Sequence, residues 1–327
     1  MSADGGSCSG SGSTSGDEKV VDLTYQAPGV AEALDAEVEV VDATGNGWTE
    51  MELLKGLAKL QTVCLRNNRV SKVECLEAAT ELEELDLYGN SVKVIEGVAH
   101  LSKLVILDFS FNLIRSMAPL GVPDISFTGL RKLYLCSNKI TKIEGLEKLT
   151  ALEMLELGSN RLRTIEGLET LTALRELWLG RNKLEKITGL ENLTNLEILD
   201  LQSNRLTKLE GLEANTKLTD LYLAHNAIES LEGIAQLVAL ETFDISNNAL
   251  SAIPADELPR AALTEFWMNH NTVSDWADVE VLKDAPQLET VYFEGNPIAE
   301  HPRYRAIMAD TLPQIKQIDA TLIRTRM

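Results

Sequence analysis

Apolar residues along most of this chain recur in one fixed pattern, LxxLxLxxN, closed each time by an asparagine. LEELDLYGN (82–90), LRELWLGRN (174–182) and LTDLYLAHN (218–226) are examples. These asparagines stand at 68, 90, 112, 138, 160, 182, 204, 226, 248, 271 and 296, mostly 22 residues apart, and an apolar residue follows nearly every one at the second position. In LxLxx the leucines alternate with other residues, so the pattern predicts a short strand with its leucines on one face. The second half of each unit reads IEGLExLTxL, as at 143–152, too short for a long helix. It predicts a 3₁₀ or single helical turn, with Gly97, Gly145, Gly167, Gly189, Gly211 and Gly233 permitting tight bends.

A strand of this kind cannot bury its leucines alone, but stacked copies make a continuous core. The expectation is a leucine-rich repeat: an α/β solenoid, or horseshoe, of 11 repeats of about 22 residues. Its parallel β-sheet would line the concave face and short 3₁₀ or helical turns the convex face. The asparagine amide would satisfy backbone groups inside the coil. Residues 1–18 are Gly/Ser-rich and read as a disordered tail. Residues 19–56 read as an acidic N-terminal segment with a capping helix at 48–57, 57–297 as the repeats, and 298–327 as a C-terminal cap. Within the cap, Pro302 can start a helix near Tyr304 to Asp310, followed by an extended piece at Ile315 to Ile318. The longest interval, 26 residues, places an inserted loop at 118–130.

The composition narrows the function. A net charge of −20 disfavours nucleic acid and anionic membranes and favours a basic protein partner. No apolar run is long enough to span a bilayer, and the N-terminus has neither the basic nor the apolar region of a secretory signal. The four cysteines form no CxxC pair, which fits a reducing compartment, the cytoplasm or nucleus. No HExxH and no phosphate-binding GxxxxGK[ST] occurs, and GNGWTE (45–50) lacks the third glycine of a dinucleotide fingerprint. His225 and His270 share a repeat position two coils apart, roughly 10 Å, too far for joint metal ligation. The chain reads as a non-enzyme with no cofactor and no metal.

The outward strand positions carry the remaining information. Between the second and third apolar positions of each block stand Cys64, Asp86, Asp108, Tyr134, Glu156, Trp178, Asp200, Tyr222, Asp244, Trp267 and Tyr292. Five are acidic and five aromatic, in a chain that is only 5% aromatic. Two places earlier lie further acids, among them Glu265. Exposed Trp and Tyr are favoured interface anchors, and acids beside them select Lys or Arg on a partner. Aromatic stacking for stability alone is the competing explanation.

Beyond the repeat class, ILDFSFNLIR (106–115), LELGSNRL (155–162), LQSNRLTKLEGL (201–212), EFWMNHN (265–271), LETVYFEGNP (288–297) and LPQIKQIDAT (312–321) closely resemble the regulatory subunit 7 family of protein phosphatase 1. The resemblance covers roughly residues 57–321. It implies a non-catalytic subunit whose concave face grips the phosphatase catalytic subunit and controls its activity or maturation, in company with a further phosphatase regulator. It also implies a location in nucleus and cytoplasm. The family's contact positions match Asp108, Tyr134, Glu156, Trp178, Asp244, Glu265, Trp267 and Tyr292. Tyr134 and Trp178 stand where animal members carry phenylalanine. RVSK (69–72) is not an RVxF docking peptide, because Lys72 replaces the aromatic residue and Val70 is a core position. Binding would therefore use the folded surface of a chain that is a monomer on its own. The alternative is a leucine-rich-repeat scaffold for an axonemal or cytoskeletal complex.

Overall fold

The computed structural model describes residues 19–25 and 34–323; the Gly/Ser-rich segment 1–18 lies outside them. The chain forms two compact units. One holds the described residues up to Arg115 together with Val122–Asn138, the other Ser116–Gly121 together with Lys139 onward.

The first unit contributes β1 (Val20–Asp22), β2 (Val40–Asp42), β3 (Thr62–Cys64), β4 (Glu84–Asp86), β5 (Ile106–Asp108) and β6 (Lys132–Tyr134). Each pairs in parallel with the next, in register, so Val41, Val63, Leu85, Leu107 and Leu133 form one inward column. All five are fully buried. The second unit contributes β7 (Met154–Glu156), β8 (Glu176–Trp178), β9 (Ile198–Asp200), β10 (Asp220–Tyr222), β11 (Thr242–Asp244), β12 (Glu265–Trp267), β13 (Thr290–Tyr292), β14 (Gln317–Ile318) and β15 (Thr321–Leu322). These strands are parallel except β15, which turns back antiparallel on β14. Near the C-terminal end phenylalanines replace leucines in the core: Phe243 stacks on Phe266 with ring centroids 5.7 Å apart, and Phe266 meets Phe293 edge to face at 6.0 Å.

The asparagines hold successive coils together. Asn90 Nδ2 donates to the carbonyls of Leu65 (2.8 Å) and Leu87 (3.0 Å), while its Oδ1 accepts from the Val70 N–H (3.0 Å). Asn112, Asn182, Asn204, Asn226, Asn248 and Asn296 repeat this arrangement. The residue before each repeat asparagine is left-handed, with φ from 54° at Asn67 to 74° at Gly295. That conformation turns the chain sharply so that the amide points into the coil.

The repeat begins earlier than its leucines suggest. Val38, Val41, Ala43 and Asn46 match the block with smaller apolar residues, and Asn46 lies one 22-residue step before Asn68. All four are buried. The segment expected as a capping helix at 48–57 forms instead a single 3₁₀ turn, Glu52–Leu54, that buries Met51 and Leu54 between β2 and β3. The 118–130 insertion opens with a 3₁₀ turn (Ala118–Gly121), and its later half packs inward through Ile125 and Phe127. Ser126 there donates its N–H and its hydroxyl to the Ala99 carbonyl. The loop leaves pairing undisturbed, since Asp108 and Tyr134 stand directly opposite on β5 and β6.

At the C-terminal end, α1 (Trp276–Glu280) is capped by Asp275, whose carboxylate accepts from the Ala277 N–H at 2.9 Å. α2 (Tyr304–Thr311) falls at the helix expected near Pro302. Asp319 takes the asparagine's part in the last coil and accepts from the N–H groups of Phe293 and Glu294.

Asn182→Ala removes four bonds from a site only 9% exposed. The buried Leu162 N–H loses its side-chain acceptor, while the Leu157 and Leu179 carbonyls keep one amide donor each, from Asn160 and Asn204. The expected cost is about 2–3 kcal/mol. Asn192→Ala breaks one exposed bond, to the Glu169 carbonyl, and should cost less than about 1 kcal/mol. Urea denaturation of the two variants measures the difference.

Candidate functional site

Alternation along each three-residue strand turns its first and third residues to the outer face of the sheet. In the first unit the third positions are Asp42, Cys64, Asp86, Asp108 and Tyr134, in register on neighbouring strands. In the second they are Glu156, Trp178, Asp200, Tyr222, Asp244, Trp267 and Tyr292, again in register. Glu265 starts β12 one position before buried Phe266, so it shares a face with Trp267.

The aspartates of the row are held rather than free. Asp42, Asp86, Asp108, Asp200 and Asp244 each accept through Oδ1 from the N–H two residues on, at 2.6 to 2.9 Å. That bond draws the carboxylate down onto the backbone, and Asp108 and Asp244 are each only 8% exposed. Burial, reinforced by the charge of Asp86 on the adjacent strand, pushes the Asp108 carboxyl up to about 7, against the opposing pull of its Ser110 bonds and of Arg66. Burial raises Asp200 and Asp244 as well, opposed in each case by bonds to the residue two places on.

The aromatic residues pair across the sheet. Trp178 and Tyr222 stack over the intervening strand with centroids 6.3 Å apart and planes at 18°. Gly180 makes room for the Asp200 carboxylate, since a Cβ there would lie 2.7 Å from Asp200 Oδ2. Trp267 and Tyr292 meet edge to face at 5.8 Å. Tyr292 is fixed by Gln317, which donates to its hydroxyl at 2.8 Å, and Trp178 donates to the Glu176 carboxylate at 3.3 Å. The Trp267 indole N–H is buried without an acceptor among the described residues. Tyr134, Glu156, Trp178, Glu265, Trp267 and Tyr292 are all half-buried, with flat or charged surface still presented to solvent.

The structure thus brings Asp108 beside Tyr134 in the first unit. In the second it sets Glu156 beside Trp178, and joins Asp244, Glu265, Trp267 and Tyr292. It adds a cluster that the strand pattern alone did not single out. Arg66 pairs with Asp86 at 2.9 Å and lies over the Tyr88 ring at 4.3 Å, and Tyr88 in turn meets Phe111 at 4.7 Å. Phe111 is 49% exposed and left-handed, an unusual place for a bulky residue. The available signal was the phenylalanine in SFN, where other coils carry Gly, Ser, Asn, Arg or His before the asparagine. His225 and His270 occupy that same left-handed turn position and are exposed. Among the described residues no group of three or more His, Cys, Asp or Glu is placed to hold a metal ion.

A family model of leucine-rich repeats in two copies matches residues 128–170 and again 172–214, and a further leucine-rich-repeat model matches 197–327. The chain belongs to the leucine-rich-repeat family. Among solved structures, an internalin from Listeria monocytogenes is 25% identical with a TM-score of 0.77, over 88% of this chain and 82% of its own. A leucine-rich-repeat protein of Leptospira interrogans, 22% identical with a TM-score of 0.66 over 86% and 84%, shares the fold. Among curated proteins, protein phosphatase 1 regulatory subunit 7 of Danio rerio is 53% identical over 49 residues, 15% of this chain and 14% of its own length. The human protein of that name is 46% identical over 52 residues, 16% and 14%. Protein phosphatase 1 regulatory subunit pprA of Dictyostelium discoideum is 42% identical over 69 residues, 21% and 20%. These matches span about a seventh to a fifth of the relatives' lengths, and within that span the resemblance to phosphatase 1 regulatory subunits holds.

Asp108 gives a pH signature. Its folded value of about 7 exceeds the unfolded value near 4, so between those limits the folded state binds more protons. Its contribution to stability is therefore present at acid pH and is lost as pH rises through that window. Asp108→Asn keeps an acceptor for the Ser110 N–H and abolishes the titration. At pH 7.5 the variant should be more stable than the parent, by on the order of 1–2 kcal/mol, and the gap should close towards pH 4. Urea midpoints across the pH range measure this.

Proposed function

We propose that this chain is a non-catalytic regulatory subunit that binds the catalytic subunit of protein phosphatase 1 through its acidic and aromatic sheet face. In this reading it controls the enzyme's activity or maturation, in company with a further phosphatase regulator, in nucleus and cytoplasm. The observation that carries the reading is the in-register set Asp244, Glu265, Trp267 and Tyr292. Two rings fixed edge to face beside two carboxylates offer an anchor and a charge selector in one place. The names of the curated relatives supply the identity of the partner.

The mechanism is surface complementarity. The rings are already oriented by their neighbours, so docking orders few side chains and the binding cost falls. Carboxylates disfavoured by burial become favoured when a Lys or Arg of the partner arrives. Asp108 and Asp244, raised by burial, would gain their charge in this way, and Glu265, on a longer side chain, makes the reachable ion pair. Control of the enzyme then follows from holding or covering it.

Glu265→Ala/Trp267→Ala should bind purified phosphatase 1 catalytic subunit at least about 100-fold more weakly than the parent chain, read by biolayer interferometry. Both positions are half-buried on the outer face, so the circular dichroism spectrum should be unchanged. If the folded parent chain does not capture the enzyme, the reading fails.

A further inference from the structure

The asparagine turns of the second unit carry a charge opposite to that of the chain as a whole. The residue following the asparagine is Lys139, Arg161, Lys183 and Arg205 in four consecutive coils. The backbone fixes these positions in line. The N–H of Arg161 donates to the Ile140 carbonyl, that of Lys183 to Leu162 and that of Arg205 to Leu184, at 2.8 to 2.9 Å. With strands about 4.8 Å apart, the four side chains form a straight ladder roughly 15 Å long on the turn edge of the sheet. Arg163 and Arg181 flank it. Together KITK (139–142), RLR (161–163), RNKLEK (181–186) and RLTK (205–208) hold nine basic residues against one acidic residue, in a chain of net charge −20. The corresponding turns further along, at 225–230 and 270–275, have lost this character.

The ladder is not consumed internally. Arg205 reaches Glu185 only at 4.0 Å, and Lys142 reaches Glu144 at 3.9 Å. Arg161, Arg163, Arg181 and Lys183 have no carboxylate at ion-pair distance among the described residues, although this unit pairs Lys or Arg with Glu elsewhere, as at Arg175 and Glu197 (2.6 Å). Arg161, Arg163, Arg181 and Arg205 are exposed, and Lys139 and Lys183 half-buried. Like charges stacked at coil spacing repel one another, a cost that a bound anion removes.

We infer that this ladder is a second docking surface, and that its partner is an extended acidic protein segment lying along the stack of coils. It is separate from the sheet face and does not depend on the phosphatase reading. Two observations favour an acidic peptide over a nucleic acid. None of the ladder residues is aromatic, so there is no platform on which bases would stack. A long phosphate backbone would also extend into the field of a strongly acidic chain, whereas a short peptide experiences mainly the local positive edge, within a Debye length of about 8–10 Å. Joined to the proposed binding on the sheet face, this docking makes the chain an adaptor between a basic partner surface and an acidic segment on its edge.

The test is fluorescence anisotropy of the full chain with a labelled oligoglutamate peptide of about ten residues, at about 50 and about 300 mM salt. The parent should bind at the lower salt and much more weakly at the higher. Arg161→Glu/Lys183→Glu/Arg205→Glu should weaken binding at least about tenfold. Lys217→Glu/Lys283→Glu/Lys316→Glu makes the same charge change at exposed lysines outside the ladder and should bind within about twofold of the parent. Capture of the phosphatase catalytic subunit should be the same for the ladder variant as for the parent, which separates this surface from the sheet face. No binding of the peptide by the parent, equal loss in both variants, or tighter binding of single-stranded RNA than of the peptide would overturn the inference.

Discussion

Everything in this molecule hangs on a side-chain amide that bonds sideways. Each repeat asparagine donates to a carbonyl of the preceding coil and to one of its own, and accepts from a backbone N–H of the preceding coil. A parallel strand of three residues has too few ladder bonds to fix its neighbour by itself. The amide supplies the missing constraint at the point where the chain leaves the sheet, and the left-handed residue before it sets the direction of exit. Because the constraint acts between adjacent coils, it transmits register and leaves every position of the repeat aligned with its counterparts.

That alignment explains what could be read in advance. Asparagine spacing alone locates β3 to β13 and shows which strand residues face outward, because a residue's place in the repeat is its place on the surface. Reading failed where side chains changed size without changing role. Val38, Val41, Ala43 and Asn46 form a coil that leucine counting overlooks, and without that coil the turn that follows looks like a cap. The helix α1 was also invisible, since five residues started by Asp275 give little periodicity. At the candidate site, alternation gave the face but not the exposure. Asp108 points outward yet is 8% exposed, because its bond to the Ser110 N–H folds it against the sheet.

Alignment also converts composition into surface. A preference for one kind of residue at a single repeat position becomes a continuous stripe, and in the second unit two stripes carry opposite signs. The acids and rings belong to the strand, and the lysines and arginines to the turn beyond it. In an irregular fold such residues would scatter and neutralise one another in local pairs. Here they lie in separate lines, which allows one small coil to offer different chemistry to different neighbours.

The aspartates at the third strand positions, in both units, have a local reason for their place. All five accept from the N–H two residues ahead, and so each would be retained for turn geometry whether or not a partner existed. Glutamate, with one more methylene, is poorly suited to that bond, and the rings cannot make it at all. Glu265, Trp267, Tyr292 and Trp178 thus have no comparable backbone reason for standing where they do. Their surroundings hold the rings in place while leaving part of each face to solvent, and the Trp267 N–H stays unpaired. It is these residues, and not the count of acidic ones, that distinguish a docking surface from the ordinary outer face of a repeat.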